Sequence, residues 1–363
     1  MKRLGLVPLD LLLVLVPAAM AAGHLWPDRP VVTFALACLA IIPLAGLMGR
    51  ATEALASHVG AAWGGFLSAA FGNAAELILA LAALRAGELE VVKASLTGSI
   101  IGNLLLVFGA ALVAGGWRRD KQTFNVTAAG AGSASLYLAA VALLVPAIQH
   151  HGTDAHPETR IPTSVAISVV LLGLYALSLR FSLKTHVHLY GGEADPTVEP
   201  YEGDAGEPGP AAWSRRAAVG VLLGATALVA LVSETLVGSL EGATRSLGLT
   251  RLFVGVVVVA VVGNAAEHST AVLMALRNKM DLALQIAVES STQVALFVAP
   301  VLVLVGLLIG RPMDLVFTEL EVVAVAASTG AVTLVALDGE SNWLEGAMLI
   351  AVYLVLGVAF FFA

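Results

Sequence analysis

The sequence predicts an all-α polytopic membrane protein of about eleven transmembrane helices, built as one N-terminal helix followed by two inverted five-helix repeats. Three observations predict it. Composition comes first: of 363 residues, 58% are hydrophobic and 12% charged, with a mean hydropathy of +0.91. A water-exposed surface takes roughly 25% charged residues, so a soluble enzyme and a disordered chain are both excluded. Cys38 is the single cysteine, which excludes a disulfide scaffold and a cysteine-held zinc or iron–sulfur site. The second observation is a succession of long apolar windows. The third is a motif that occurs twice.

A hydrocarbon core about 30 Å thick takes roughly 20 apolar residues of helix, because lipid offers the backbone no hydrogen bonds. Windows of that kind lie at 5–22, 31–49, 61–84, 91–115, 128–148, 161–183, 214–238, 250–276, 281–309, 319–337 and 343–362. Lys2 and Arg3 precede the first, which closes on Ala19-Met20-Ala21. That pattern fits a signal peptide, but the run is long for one, and a retained helix is the reading adopted. Pro27, Pro30, Pro146, Pro157, Pro162, Pro210 and Pro312 fall at or near the expected breaks. Residues 184–213 are rich in Pro and Gly and carry Glu193, Asp195, Glu199, Glu202, Asp204 and Glu207. They form a solvated acidic linker on the cytoplasmic side. The expected divisions are therefore 1–30 (extra N-terminal helix), 31–183 (first repeat), 184–213 (linker) and 214–363 (second repeat).

With the N-terminus inside, twelve Lys and Arg fall on the cytoplasmic side, Arg50, Lys121, Arg277 and Lys279 among them, against seven outside. This asymmetry orients the chain N-terminus in. A net charge of −7 argues against nucleic acid as a partner, which would need a basic footprint. The expected surroundings are a lipid bilayer and small cations, and homo-oligomerisation is left open.

Phe71-Gly72-Asn73-Ala74-Ala75-Glu76 recurs as Val262-Gly263-Asn264-Ala265-Ala266-Glu267. Ser99 and Ser290 stand at the same spacing (290 − 99 = 191). Leu84-Arg85 is echoed by Leu276-Arg277, and more weakly Thr52-Glu53 by Ser233-Glu234. An odd number of helices per copy sends the second copy in from the opposite side, so equivalent residues face one another near the midplane.

Glu76 and Glu267 lie in apolar helices, where a carboxylate needs a partner, a proton or a cavity. One such residue alone reads as structural; two at equivalent positions read as a site. Asn73 and Asn264, three residues earlier, share their faces. Gly72 and Gly263 permit close approach or local unwinding that frees carbonyls. Hard oxygen ligands without thiol or clear imidazole suit Ca²⁺, Mg²⁺ or Mn²⁺. Two carboxylates neutralise one divalent ion or two protons, so the same pair can carry either load. Ser95, Ser99 and Asn103 fall on one helix face; Glu289, Ser290, Ser291, Thr292 and Gln293 crowd together in the second copy. Hydroxyls of this kind often only bond back to the preceding turn.

Gly-Asn-Ala-Ala-Glu in both halves, with Ala94-Ser95-Leu96-Thr97-Gly98-Ser99 and Ser290-Ser291-Thr292-Gln293, resembles the two alpha repeats of the cation/Ca²⁺ antiporter superfamily, in its Ca²⁺/H⁺ exchanger branch. The resemblance covers nearly the whole chain, including the acidic linker and Ile41-Ile42-Pro43-Leu44-Ala45 leading to Ala51-Thr52-Glu53. It implies a secondary active antiporter exporting Ca²⁺ against protons by alternating access, with no resident cofactor; the compact chain, with no long regulatory N-terminal segment ahead of the first window, suits a prokaryotic plasma membrane. It implies Ca²⁺ held by Glu76 and Glu267 with Asn73, Asn264 and carbonyls near Gly72 and Gly263, supported by Ser99, Ser290 and Gln293. Sliding of the first helix of each repeat would be the gate; Glu53 and Glu234 fall on those helices, either with a role there or as interfacial glutamates.

Two positions depart from the family. Glu289 stands where glycine is usual and Gly102 where serine is expected. Glu289 either faces the cavity or points to a neighbouring helix. His268 is either a proton relay or a packing residue. His150, His151 and His156 read as a solvated outer loop, and Asp10 receives no role. Other readings are a Na⁺-coupled or Mn²⁺/Mg²⁺-preferring exchanger, whose sodium-coupled form would carry Gly-Thr/Ser-Ser-x-Pro-Glu/Asp, absent here, and a passive cation channel. No His-Glu-x-x-His or Gly-x-Ser-x-Gly occurs, so no enzyme is expected.

Overall fold

The computed structural model describes residues 8–26, 28–59, 64, 67, 70–152, 157–185 and 213–363. The acidic segment 186–212, His156, and most of the opening turns of the 61–84 window lie outside them. A tight turn over Pro8–Val14 leads into α1 (Leu15–Leu25). Then come α2 (Pro30–Val59), α3 (Ala74–Ala86), α4 (Leu89–Gly116), α5 (Val126–Gly152) and α6 (Arg160–Thr185). The second half holds α7 (Arg215–Leu247), α8 (Arg251–Gly263), α9 (Ala265–Leu276), α10 (Met280–Leu308), α11 (Glu319–Val335) and α12 (Trp343–Phe362).

Seven of these, α2, α4, α5, α6, α7, α10 and α12, are long and apolar enough to cross a bilayer, and α8 with α9 forms an eighth span bent by 62°. The expected eleven are therefore not all matched by helices of spanning length among the described residues. The described part of α3 begins only after the break at Gly72-Asn73, α1 is preceded by a tight turn, and α11 has 17 residues.

Charge misled the reading of helix ends. The windows 31–49 and 214–238 stop short, whereas α2 runs on to Val59 and α7 to Leu247. Backbone hydrogen bonds continue through Arg50, Glu53, Glu241 and Arg245 because helix continuity does not require apolarity. Pro146 is no break either, since α5 passes through it to Gly152; a membrane helix tolerates proline where neighbours re-satisfy the freed carbonyl.

The central helix is α4, with 83% of its apolar window buried, against 17% for α6 and 22% for α12. α6 and α12 thus turn apolar side chains outward to lipid. α2 and α7 pack along each other, and α3 lies against α7. A short antiparallel ribbon, β1 (Gln122–Thr123) with β2 (Glu340–Ser341), joins the α4–α5 and α11–α12 connections, with Gln122 opposite Ser341. Lys121 Nζ meets Glu340 Oε1 beside it at 2.6 Å.

Close approach at the centre depends on glycine. A Cβ on Gly98 of α4 would collide with the Val256 backbone, and one on Gly255 of α8 with Ala94. Just past the paired serines, α4 and α10 each widen into a π-type turn, over Gly102–Val107 and Val294–Val298. Such turns recur at functional sites because they displace the side chains that follow.

Candidate functional site

Both Gly-Asn-Ala-Ala-Glu motifs sit at helix breaks. Asn73 precedes α3 with φ −95° and ψ 22°, and Asn264 precedes α9 with φ −104° and ψ 14°. The two junctions share one backbone conformation although they lie in different halves. Each break places its glutamate in the first turn of the following helix.

The structure brings the two motifs together. Gly263 lies against Glu76, since a Cβ there would rest 3.6 Å from the Glu76 Cα and Cβ. Glu76 and Glu267 are within electrostatic range of each other. Ser99 Oγ donates to Glu76 Oε1 and accepts from Asn264 Nδ2 at 2.8 Å. In the mirror-related place, Ser290 Oγ donates to Asn73 Oδ1 at 3.1 Å and accepts from Asn103 Nδ2 at 2.9 Å. Each serine therefore ties its own half to the asparagine of the other. Asn73 Nδ2 in turn donates to Gln293 Oε1 at 2.9 Å.

Glu76 is 3% exposed and Glu267 half-buried. Glu76 Oε2, Glu267 Oε2 and Asn264 Oδ1 are buried acceptors with no hydrogen-bond partner. Such atoms are costly unless a cation or a proton meets them. They are the hard oxygen donors expected for a divalent cation. Among the described residues no three His, Cys, Asp or Glu form a ready-made metal cage. Two carboxylates with amide oxygens suit an ion that must leave again.

A cavity of about 220 Å³ reaches this place from one end of the molecule. Gly49, Glu53, Gly72 and Thr270 line it as exposed residues, and the buried Gly263 and half-buried Glu267 line its inner part. Glu53 is thus placed on the approach to Glu267. Glu234 is not its counterpart here: it is exposed and pairs with Arg85 at 3.6 Å, away from the cavity.

Other expected residues fall outside the network. Ser95 Oγ bonds back to Val92 O at 2.8 Å within its own helix. Glu289 is not among the residues lining the cavity and accepts from Gln285 Nε2 at 2.8 Å. His268 is half-buried, and its imidazole makes no hydrogen bond to Glu267 or to any other group among the described residues. Asp10, given no role from the sequence, pairs with Arg50 and ties the N-terminal turn to α2.

One buried acid was missed. Glu321 is 2% exposed; its Oε2 accepts from the Thr318 backbone N–H and hydroxyl, and its Oε1 from Thr97 Oγ1 at 2.8 Å. The signal was legible as Thr318-x-x-Glu321, the pattern of a capping box at the start of a helix, and the structure forms that box. It positions α11 against the α4 segment that carries Ser99.

Broken helices meeting at the middle of a membrane bundle, each with a carboxylate at the break, are the arrangement of secondary transporters. The family described as sodium/calcium exchanger protein matches residues 29–184 and 217–362, and the chain belongs to it. It is 50% identical over 359 residues to the Ca(2+)/H(+) antiporter of Synechocystis sp., covering 97% of this chain and 96% of that one. It is 43% identical over 338 residues to the Ca(2+)/H(+) antiporter ChaA of Bacillus subtilis, covering 93% of each. The solved structure of native YfkE superposes with a TM-score of 0.81 at 38% identity, over 97% of this chain and 100% of that one.

Proposed function

We propose that this protein is a secondary active antiporter that exchanges Ca²⁺ for H⁺ by alternating access, moving Ca²⁺ out of the cytoplasm as protons enter. One observation carries the mechanism: Ser99 bonds to Glu76 of its own half and to Asn264 of the other, while acceptor oxygens of Glu76, Glu267 and Asn264 stay without partners. The ion takes those oxygens together with the Asn73 amide oxygen and carbonyls near Gly72 and Gly263. Once it leaves, protons neutralise the same two carboxylates. Neither load leaves a net charge in the bilayer, and competition for one pair couples the two fluxes.

The family membership and the named Ca²⁺/H⁺ antiporters among its relatives support this choice of ions. The excess of Lys and Arg near the cavity mouth, with Arg50, Arg277 and Lys279 at that end, supports a cytoplasm-facing state with the N-terminus inside. A prokaryotic plasma membrane is the compartment this reading adopts.

The test is Ca²⁺ uptake into everted membrane vesicles. Uptake is expected only with a pH gradient, acid inside, and is expected to vanish in Glu76→Gln and in Glu267→Gln. Full exchange in both variants would reject the mechanism; uptake down a Ca²⁺ gradient alone, never uphill, would make the protein a channel.

A further inference from the structure

α10 carries a row of four polar side chains, of which the cation site uses only the last. Asp281, Gln285, Glu289 and Gln293 recur every four residues and so share one face of the helix. Asp281 is exposed and accepts the Asn125 backbone N–H. Gln285 and Glu289 are half-buried and joined by the 2.8 Å bond. Gln293 ends the row inside the site, on the Asn73 amide. The next position, Phe297, is apolar and stacks on Tyr175 with ring centroids 5.0 Å apart. The row is therefore polar on one side of the site only, the side where α10 begins.

The first half lacks this row. The residues 191 positions earlier are Glu90, Ala94, Gly98 and Gly102, and α8 packs onto that face so tightly that a Cβ at Gly98 would strike Val256. One half seals the face that the other fills with polar groups.

Between Asp281 and the site, Glu289 is the one member of the row able to bind a proton. Among the described residues no Lys or Arg pairs with it. Of the helices packed against α10, α6 brings Tyr175, which lies within electrostatic reach of Glu289. α9 brings Glu267 and His268, and α5 has no Asp, Glu, Lys or Arg. α4 brings Glu90 and Lys93 at its far end, the latter held by Asp314 and Val316. A carboxyl group so placed is tolerated in a membrane helix when it carries a proton.

We propose that this row is a proton route separate from the cation cavity, and that Glu289 is the residue that takes up protons on it. This rests on the exchange reading above. A proton arriving from the Asp281 end binds the Glu289 carboxylate. It passes on to the Glu76/Glu267 pair once the cation has left, and Glu289 is ionised again until the next proton arrives. The amides of Gln285 and Gln293 orient the path at either end.

The experiment compares two transport modes of the full chain in proteoliposomes. Ca²⁺/Ca²⁺ counterflow needs no proton transfer, whereas Ca²⁺/H⁺ exchange does. Glu289→Gln keeps the side-chain shape, and Glu289→Gly installs the residue found at the equivalent Gly98. Both are expected to keep counterflow within about twofold and to lose roughly tenfold or more of the exchange rate, with Glu289→Asp restoring part of it. Equal loss in both modes would make Glu289 structural, and unchanged exchange would remove it from the route; either overturns the proposal. Absence of pH-driven exchange in the wild-type protein would instead overturn the exchange reading on which it rests.

Discussion

The Ser99 hydroxyl donates to Glu76 and accepts from Asn264, so one small side chain holds the cation-site groups of both halves in register. A hydrogen bond to a charged group contributes about 1.5–3 kcal/mol. Ser99→Ala is therefore expected to weaken Ca²⁺ binding by roughly ten- to a hundredfold, read as the half-saturating Ca²⁺ concentration of uptake. Ser95→Ala, one turn away, is expected to leave it unchanged, because that hydroxyl only bonds back to Val92. Spacing alone put both serines on one face and had no means of separating them. Glu76, Glu267 and their asparagines were legible because a repeated carboxylate in apolar helix has few explanations. Glu321 was legible only as the capping-box residue of Thr318-x-x-Glu321; its depth and its bond to Thr97 were not, because a glutamate opening a helix is ordinary.

At the scale of elements, the site rests on two broken helices and on the close crossing of α4 and α8. Gly98→Val forces a side chain into the Val256 backbone, and overpacking of this kind costs about 1–3 kcal/mol. A lower melting temperature in detergent is expected, with loss of transport. At Gly220 a Cβ meets nothing within 4 Å, so the same change there is expected to shift stability by no more than about 0.5 kcal/mol. The helix breaks were readable as an option, since glycine before asparagine permits unwinding, but the 62° bend between α8 and α9 was not. Apolar windows likewise ended α2 and α7 too early. They respond to charge, whereas the helix follows its own hydrogen bonds past Arg50 and Glu53 to the cavity mouth.

For the whole molecule, the inverted halves are equivalent in sequence but not in state. Glu267 meets a cavity open at one end, while Glu76 is enclosed, as alternating access requires of a single conformation. Cys38, the single cysteine, is buried, which gives a clean background for labelling. Thr270→Cys is expected to react with a membrane-impermeant thiol reagent from the cytoplasmic side, and reaction from the outside alone would reverse the orientation. Competition for one carboxylate pair also fixes a sign: Ca²⁺ needs both groups ionised, so the half-saturating Ca²⁺ concentration is expected to rise as the pH on the same side falls. The most direct measurement is proton release when Ca²⁺ is added to the purified protein in weakly buffered detergent, at a pH where the empty pair is protonated. About two protons per bound Ca²⁺ are expected, and none from the Glu76→Gln/Glu267→Gln double variant. Stoichiometric Ca²⁺ binding with no proton released by the wild-type protein would contradict the account.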